Sequence, residues 1–365
     1  MSPRWATAGV FFVNGMGVGT LLSHVPYLQE RLDVSKGVIG LCLLAMAAGA
    51  LVAMPIAGQI LERRPSARVV RVAACAYPVA LAFPLLAGTP AVLALLLFVV
   101  GAANGWLDVS MNAHGSAVER ARARPIMSSL HAAWSVGGVA GAGGAALAAA
   151  ASVDPRAYVA VAAAALWVLA AVLTLRLGDA TVAGGGAGLV LPARGVLSLG
   201  MLAVLVMVCE GAINDWGPLY LRSDLGTAAG VAAAGFATFS AGMALGRFAG
   251  DALVRRLGAE RVLRGGAALA AVALGLTLLV GHPVVALAGF ALVGLGVANG
   301  VPVLFSAAGR TRTPGPAIAA VSTMGYVAFL GGPPFLGFLA DAVTLPWALA
   351  TICLAATTVA LLGKA

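Results

Sequence analysis

Runs of about twenty predominantly apolar residues recur along the whole 365-residue chain, and that is the length a helix needs to cross a hydrocarbon core about 30 Å thick. Twelve such runs can be marked, at approximately 5–28, 36–60, 69–88, 91–116, 127–151, 157–176, 197–221, 229–250, 262–280, 283–307, 317–339 and 346–363. With 61% hydrophobic and 10% charged residues, the sequence has too little polar surface for a soluble globular protein and falls in the polytopic membrane class. The only charge ahead of the first run is Arg4, and the run is too long for a signal-peptide core, so it is expected to remain as the first span.

The net charge of +9 would suit nucleic acid, but the basic residues sit in short clusters between apolar runs without interleaved aromatics. Membrane orientation accounts for them. If the amino terminus is cytoplasmic, every lysine and arginine except Arg31, Lys36, Arg156 and Arg222 falls on the cytoplasmic side, Arg247 included. Both termini are therefore expected in the cytoplasm. The four cysteines lie singly inside apolar segments, with neither metal-ligand nor disulfide spacing.

The longest segment without an apolar run lies between the sixth and seventh spans, and its Gly-rich centre reads as a flexible cytoplasmic linker. The expected organisation is a six-helix bundle over 1–176, a linker over 177–196 and a second bundle over 197–365. The halves repeat. Ala103-Asn104-Gly105 returns as Ala298-Asn299-Gly300, Asn14-Gly15 corresponds to Glu210-Gly211, and Glu62-Arg63-Arg64 answers Val254-Arg255-Arg256.

Within the fourth span, Asn104, Asp108 and Asn112 fall within roughly an 80° arc of a helix. An acid near the bilayer centre costs on the order of 3 kcal/mol even on the mild insertion scale, so this face is expected to line a protein interior or a watery cavity. Span seven adds Glu210, with Asn214 one turn further on the same face and Asp215 rotated away by roughly 140°. A carboxyl group in such a place can take a proton from one side and release it when water, a base or substrate approaches. Asp108 and Glu210 are the expected proton-coupling groups. Asp108 could instead lock spans one and four together through a hydrogen bond, and Glu210 could instead sit at an outer gate.

Asn14, Asn104, Asn112, Asn214 and Asn299, with Trp134 and Tyr326 in corresponding places of spans five and eleven, are the candidate substrate-binding residues. Asparagine both donates and accepts, and an aromatic ring offers an apolar platform, a combination suited to a polar, ring-bearing solute. Helix-gluing asparagines and interface aromatics are the competing account. Ser110 and His114 project away from Asp108 by roughly 120° or more, which is no arrangement for a hydrolytic triad. No phosphate loop with a lysine is present, and neither cofactor nor metal is called for.

The loop after span two, Gly58-Gln59-Ile60-Leu61-Glu62-Arg63-Arg64-Pro65, resembles the signature loop of the major facilitator superfamily, with Pro65 in place of the final glycine. Gly246 to Leu263 after span eight, the span-four Asp-x-x-x-Asn and Gly325 to Gly337 resemble the fucose-permease-like and YbjJ-like bacterial branch. The resemblance implies an all-α membrane protein of twelve transmembrane helices in two pseudo-symmetric six-helix bundles, working by alternating access. It also implies acids on spans one and four; span one has Asn14, so only Asp108 carries over, and Glu210 is the expected second group. Gly58, Glu62, Arg63, Arg64, Asp251, Arg255 and Arg256 are expected at a cytoplasmic gate, where acids and arginines can pair in one state and part in another.

The expected activity is secondary transport of a small polar solute, coupled to protons, by a monomer embedded in lipid and without a nucleic-acid partner. Proton-antiport efflux of amphipathic compounds is the alternative within transport, and a non-transporting membrane sensor the alternative outside it.

Overall fold

The computed structural model describes residues 3–122, 126–178, 194–309 and 314–363, and the chain divides into two compact units, Met1–Gly184 and Gly185–Ala365. The linker expected over 177–196 falls largely on 179–193, outside the described residues. All described regular structure is helical.

The first unit contains α1 (Pro3–Leu22), α2 (Val25–Leu32), α3 (Lys36–Arg63), α4 (Ser66–Leu81), α5 (Pro90–Arg122), α6 (Met127–Ala150) and α7 (Pro155–Thr174). The second contains α8 (Arg194–Leu219), α9 (Ala229–Leu257), α10 (Ala259–Val280), α11 (Pro283–Val297), α12 (Gly300–Gly309), α13 (Pro314–Ala342) and α14 (Leu345–Leu362). Among the described residues, eleven helical segments are long and apolar enough to cross a membrane. α1 with α2 forms one and α11 with α12 another, while α13 contributes the shorter apolar stretch Val327–Ala342.

Local chemistry sets several boundaries. The Ser35 hydroxyl accepts from the Val38 amide ahead of α3, and Asp154 accepts from the Arg156 and Ala157 amides ahead of α7, with Pro155 opening the helix. Gly258, at φ 86°, separates α9 from α10, a conformation that a side chain would strain.

The internal packing of the two units follows one scheme. In the first, α1 packs on α6, α3 on α5, and α4 on α5 and α7; in the second, α8 packs on α13, α9 on α11, and α10 on α11 and α14. This is the pseudo-symmetry that the sequence repeat foreshadows. Large apolar side chains are found at both extremes of exposure: Phe11, Tyr77, Trp216, Phe236 and Phe290 are buried, whereas Leu147, Val161, Leu279 and Trp347 are each at least 70% exposed. Outward-facing leucine and valine on this scale belong against lipid.

Glycines let the paired helices approach closely. A Cβ on Gly15 would collide with the Trp134 carbonyl and one on Gly141 with the Met16 carbonyl, which fixes α1 against α6. Gly101 meets the Met46 carbonyl between α5 and α3, and Gly242 meets that of Ala291 between α9 and α11. Because backbone cannot yield as a flexible side chain can, Gly15→Ala and Gly101→Ala are each expected to destabilise the protein by about 1–3 kcal/mol. Thermal unfolding in detergent measures this, with Gly143→Ala, whose Cβ would meet nothing within 4 Å, as the silent control.

Candidate functional site

The close α1–α6 crossing at Gly15 brings the neighbouring Asn14 within reach of Trp134. The indole Nε1 donates to Asn14 Oδ1 at 2.7 Å, and Asn14 Nδ2 donates to Asn104 Oδ1 of α5 at 2.8 Å. Three helices of the first unit are thus tied by one chain of side-chain hydrogen bonds. Asn14 is only 2% exposed, while Asn104 and Trp134 are half-buried.

One turn beyond Asn104 on α5 comes Asp108, and one turn beyond that Asn112. Asn112 Nδ2 donates to the Asp108 backbone carbonyl at 2.9 Å and to Asp108 Oδ1 at 3.1 Å. Asp108 Oδ2 has no partner among the described residues, and the side chain is half-buried within the apolar span Pro90–Glu119. Ser110 and His114, by contrast, are fully buried and turn elsewhere: the Ser110 hydroxyl donates to the Leu107 carbonyl, and His114 Nδ1 shares a hydrogen bond with Ser66 of α4 at 2.9 Å.

In the second unit Glu210 of α8 and Arg247 of α9 approach to 3.7 Å, with their side chains 14% and 18% exposed. The sequence grouped Arg247 with the cytoplasmic arginines. Here it sits against an acid from the neighbouring helix, inside the bundle, because lone charges of either sign are too costly in apolar surroundings to stay apart. The pair was missed since hydropathy along one helix carries no information about which charge on another faces it. The half-buried Asn214 and Asp215 make no hydrogen bond or ion pair among the described residues.

Asn299 is 8% exposed and its Nδ2 donates to the Gly246 carbonyl at 2.9 Å, tying the α11–α12 junction to α9. Its sequence counterpart Asn104 lies within an uninterrupted helix, whereas the second Ala-Asn-Gly falls where α11 stops and α12 begins. The same tripeptide therefore does different work in the two halves. Helix gluing, the competing account for the asparagines, describes Asn299 in this structure.

At the expected gate, Gly58 is half-buried with open space around its Cα, and Arg63, Arg64, Arg255 and Arg256 are exposed. The side chains of Glu62, Asp251 and Tyr326 lie outside the described residues. Sequence reasoning did not single out Glu119, whose carboxylate accepts from the Ile126 and Met127 amides at 2.5 and 2.9 Å. It caps α6 from the end of α5 and so steadies the helix that carries Trp134. Glu119→Gln weakens these charge-assisted bonds, with an expected cost of about 1 kcal/mol in thermal unfolding.

Apolar helices of membrane-crossing length with large apolar side chains on their exteriors define a multi-pass membrane protein. The Major Facilitator Superfamily model matches residues 7–312, and the chain belongs to that superfamily of transporters, which are not enzymes. Over its full length it is 33% identical to an uncharacterized MFS-type transporter of Yersinia pestis, covering 96% of that protein. It is 35% identical to the uncharacterized transporter y4wD of Sinorhizobium fredii, again over its full length and 98% of the relative. The crystal structure of the nucleoside transporter NupG superposes with a TM-score of 0.74, covering 99% of this chain and 98% of that one at 13% identity, a likeness of fold. The fold is the major facilitator fold, twelve transmembrane helices in two six-helix bundles.

Proposed function

We propose that this transporter moves a small polar solute across the bacterial cytoplasmic membrane by alternating access, coupled to protons through Asp108 and Glu210. Within the superfamily it is assigned to the fucose-permease-like and YbjJ-like branch, with both termini cytoplasmic. The observation that carries this reading is the α5 face. Asp108 stands in an apolar span with one carboxylate oxygen held by Asn112 and the other without a partner among the described residues, one turn from Asn104. A structural acid would be expected to have its lone pairs filled by the fold; one left half-open suits a proton or a solute hydroxyl.

Glu210 serves differently. Protonation would cancel its charge and remove its attraction for Arg247, so a proton arriving there changes the bonding between α8 and α9, a local event that a two-state element can use. Asn112 and Asn214 join Asn104 as polar contacts, and Trp134 and Tyr326 supply ring faces. The basic loops around Glu62, Arg63, Arg64, Asp251, Arg255 and Arg256 act as the cytoplasmic latch. The working unit is a monomer in lipid, with a small solute and protons as its partners, and no nucleic acid.

Uptake and counterflow in proteoliposomes, over a panel of sugars, cyclitols, amino acids and amphipathic dyes, tests the substrate class. The expected result is saturable exchange of a polyhydroxylated member. Transport of the dyes alone would replace this reading with efflux of amphipathic compounds, and saturable binding without flux would replace it with a sensor.

A further inference from the structure

The hydrogen-bond chain Trp134–Asn14–Asn104 has a direction, and the direction decides what the α5 face offers. An indole nitrogen can only donate, so the Asn14 atom facing it at 2.7 Å must be the carbonyl oxygen. The other end of the Asn14 amide, its NH2 group, then faces Asn104, which must answer with its own oxygen at 2.8 Å. Reversing either amide would set donor against donor or acceptor against acceptor. The amide nitrogen of Asn104 is left over, on a half-buried side chain, with no partner among the described residues.

We propose that Trp134, acting through Asn14, is a specificity-positioning residue that forces Asn104 to present a hydrogen-bond donor to the solute. The inference rests on the reading that the α5 face binds a polar solute. One turn along the helix, where Cβ atoms four residues apart are about 6 Å from each other, the open oxygen of Asp108 presents an acceptor when ionised. The ligand class that answers this pair carries an oxygen acceptor beside a hydroxyl donor, as adjacent positions of a polyhydroxylated ring do. Asn14 is 2% exposed and has both ends of its amide engaged, so it is a positioning residue that does not touch the solute. Trp134 has spent its only polar atom on Asn14, which leaves its ring face as the surface it can offer.

Two substitutions reverse the polarity from different places. In Asn104→Asp one carboxylate oxygen still accepts from Asn14, and the other replaces the donor by an acceptor. In Asn14→Asp the carboxylate still accepts from Trp134 but no longer donates to Asn104, whose amide then turns over and shows its oxygen to the solute. Trp134→Phe keeps a ring but frees Asn14 to rotate.

The experiment uses the full chain in proteoliposomes, with matched six-carbon sugars and cyclitols carrying a hydroxyl, keto or protonated amino group at each ring position in turn. Wild type is expected to have one position that accepts hydroxyl or keto and rejects the amino form, which can only donate, by about tenfold or more. Asn104→Asp and Asn14→Asp should both invert that preference, and Trp134→Phe should flatten it. In parallel, the indole N–H resonance of Trp134, assigned by its disappearance in Trp134→Phe, should persist in Asn104→Asp and shift in Asn14→Leu. An unchanged preference in Asn14→Asp, alongside an inverted one in Asn104→Asp, would overturn the positioning role. So would an indole resonance that Asn14→Leu does not move. Failure of wild type to take up any member of the panel would instead strike at the polar-solute reading beneath it.

Discussion

Arg247→Ala is expected to destabilise the protein by about 3 kcal/mol, because it leaves Glu210 as an unpaired acid inside the second bundle. The pair itself is a different matter. Taking two charges out of water offsets most of their mutual attraction, so replacing both by Arg247→Met and Glu210→Met should be nearly neutral and could raise the unfolding temperature. The double-mutant cycle, measured by thermal unfolding in detergent, is expected to show strong non-additivity. Additive costs would mean that the 3.7 Å approach is incidental. The functional expectation is the opposite of the stability one, since the stable double substitution should still lose the proton response assigned to Glu210.

Asp108→Asn is expected to separate exchange from accumulation. Asparagine keeps the size of the side chain and can still accept from Asn112, so the α5 face should hold its shape and bind solute. What is lost is the proton. One unit of pH gradient is worth about 1.4 kcal/mol per proton, enough to sustain about a tenfold solute gradient for each coupled proton. In Asp108→Asn that gradient should collapse to equality inside and out, while counterflow at matched solute concentrations continues. Loss of both activities together would make Asp108 a binding group with no separate role in coupling.

Much of the architecture was legible in the sequence because it depends on local pattern. Runs of apolar residues placed the spans, and helical spacing put Asn104, Asp108 and Asn112 on one side of α5. What could not be read was pairing between helices. Arg247 lies close to Arg255 and Arg256 in the chain and was grouped with them, yet a neighbouring helix brings the Glu210 carboxylate to 3.7 Å from it. Asn299 repeats the tripeptide of Asn104, but the helix break at α11–α12 turns its amide onto the Gly246 carbonyl. Asn14 and Trp134 were both singled out, each as a separate solute contact. Their hydrogen bond depends on how closely α1 and α6 cross at Gly15, a distance that no single-helix pattern encodes.

The central claim is that solute movement and proton movement are one process passing through the acids of α5 and α8. Proteoliposomes loaded with a pH-sensitive dye test it most directly, with no imposed gradient and a transported polyhydroxylated solute added outside. Wild type should show a solute-dependent pH change inside the vesicles that saturates with solute concentration and is abolished in Asp108→Asn and Glu210→Gln. Solute flux with no accompanying pH change in wild type, or an undiminished pH change in both variants, would contradict the account.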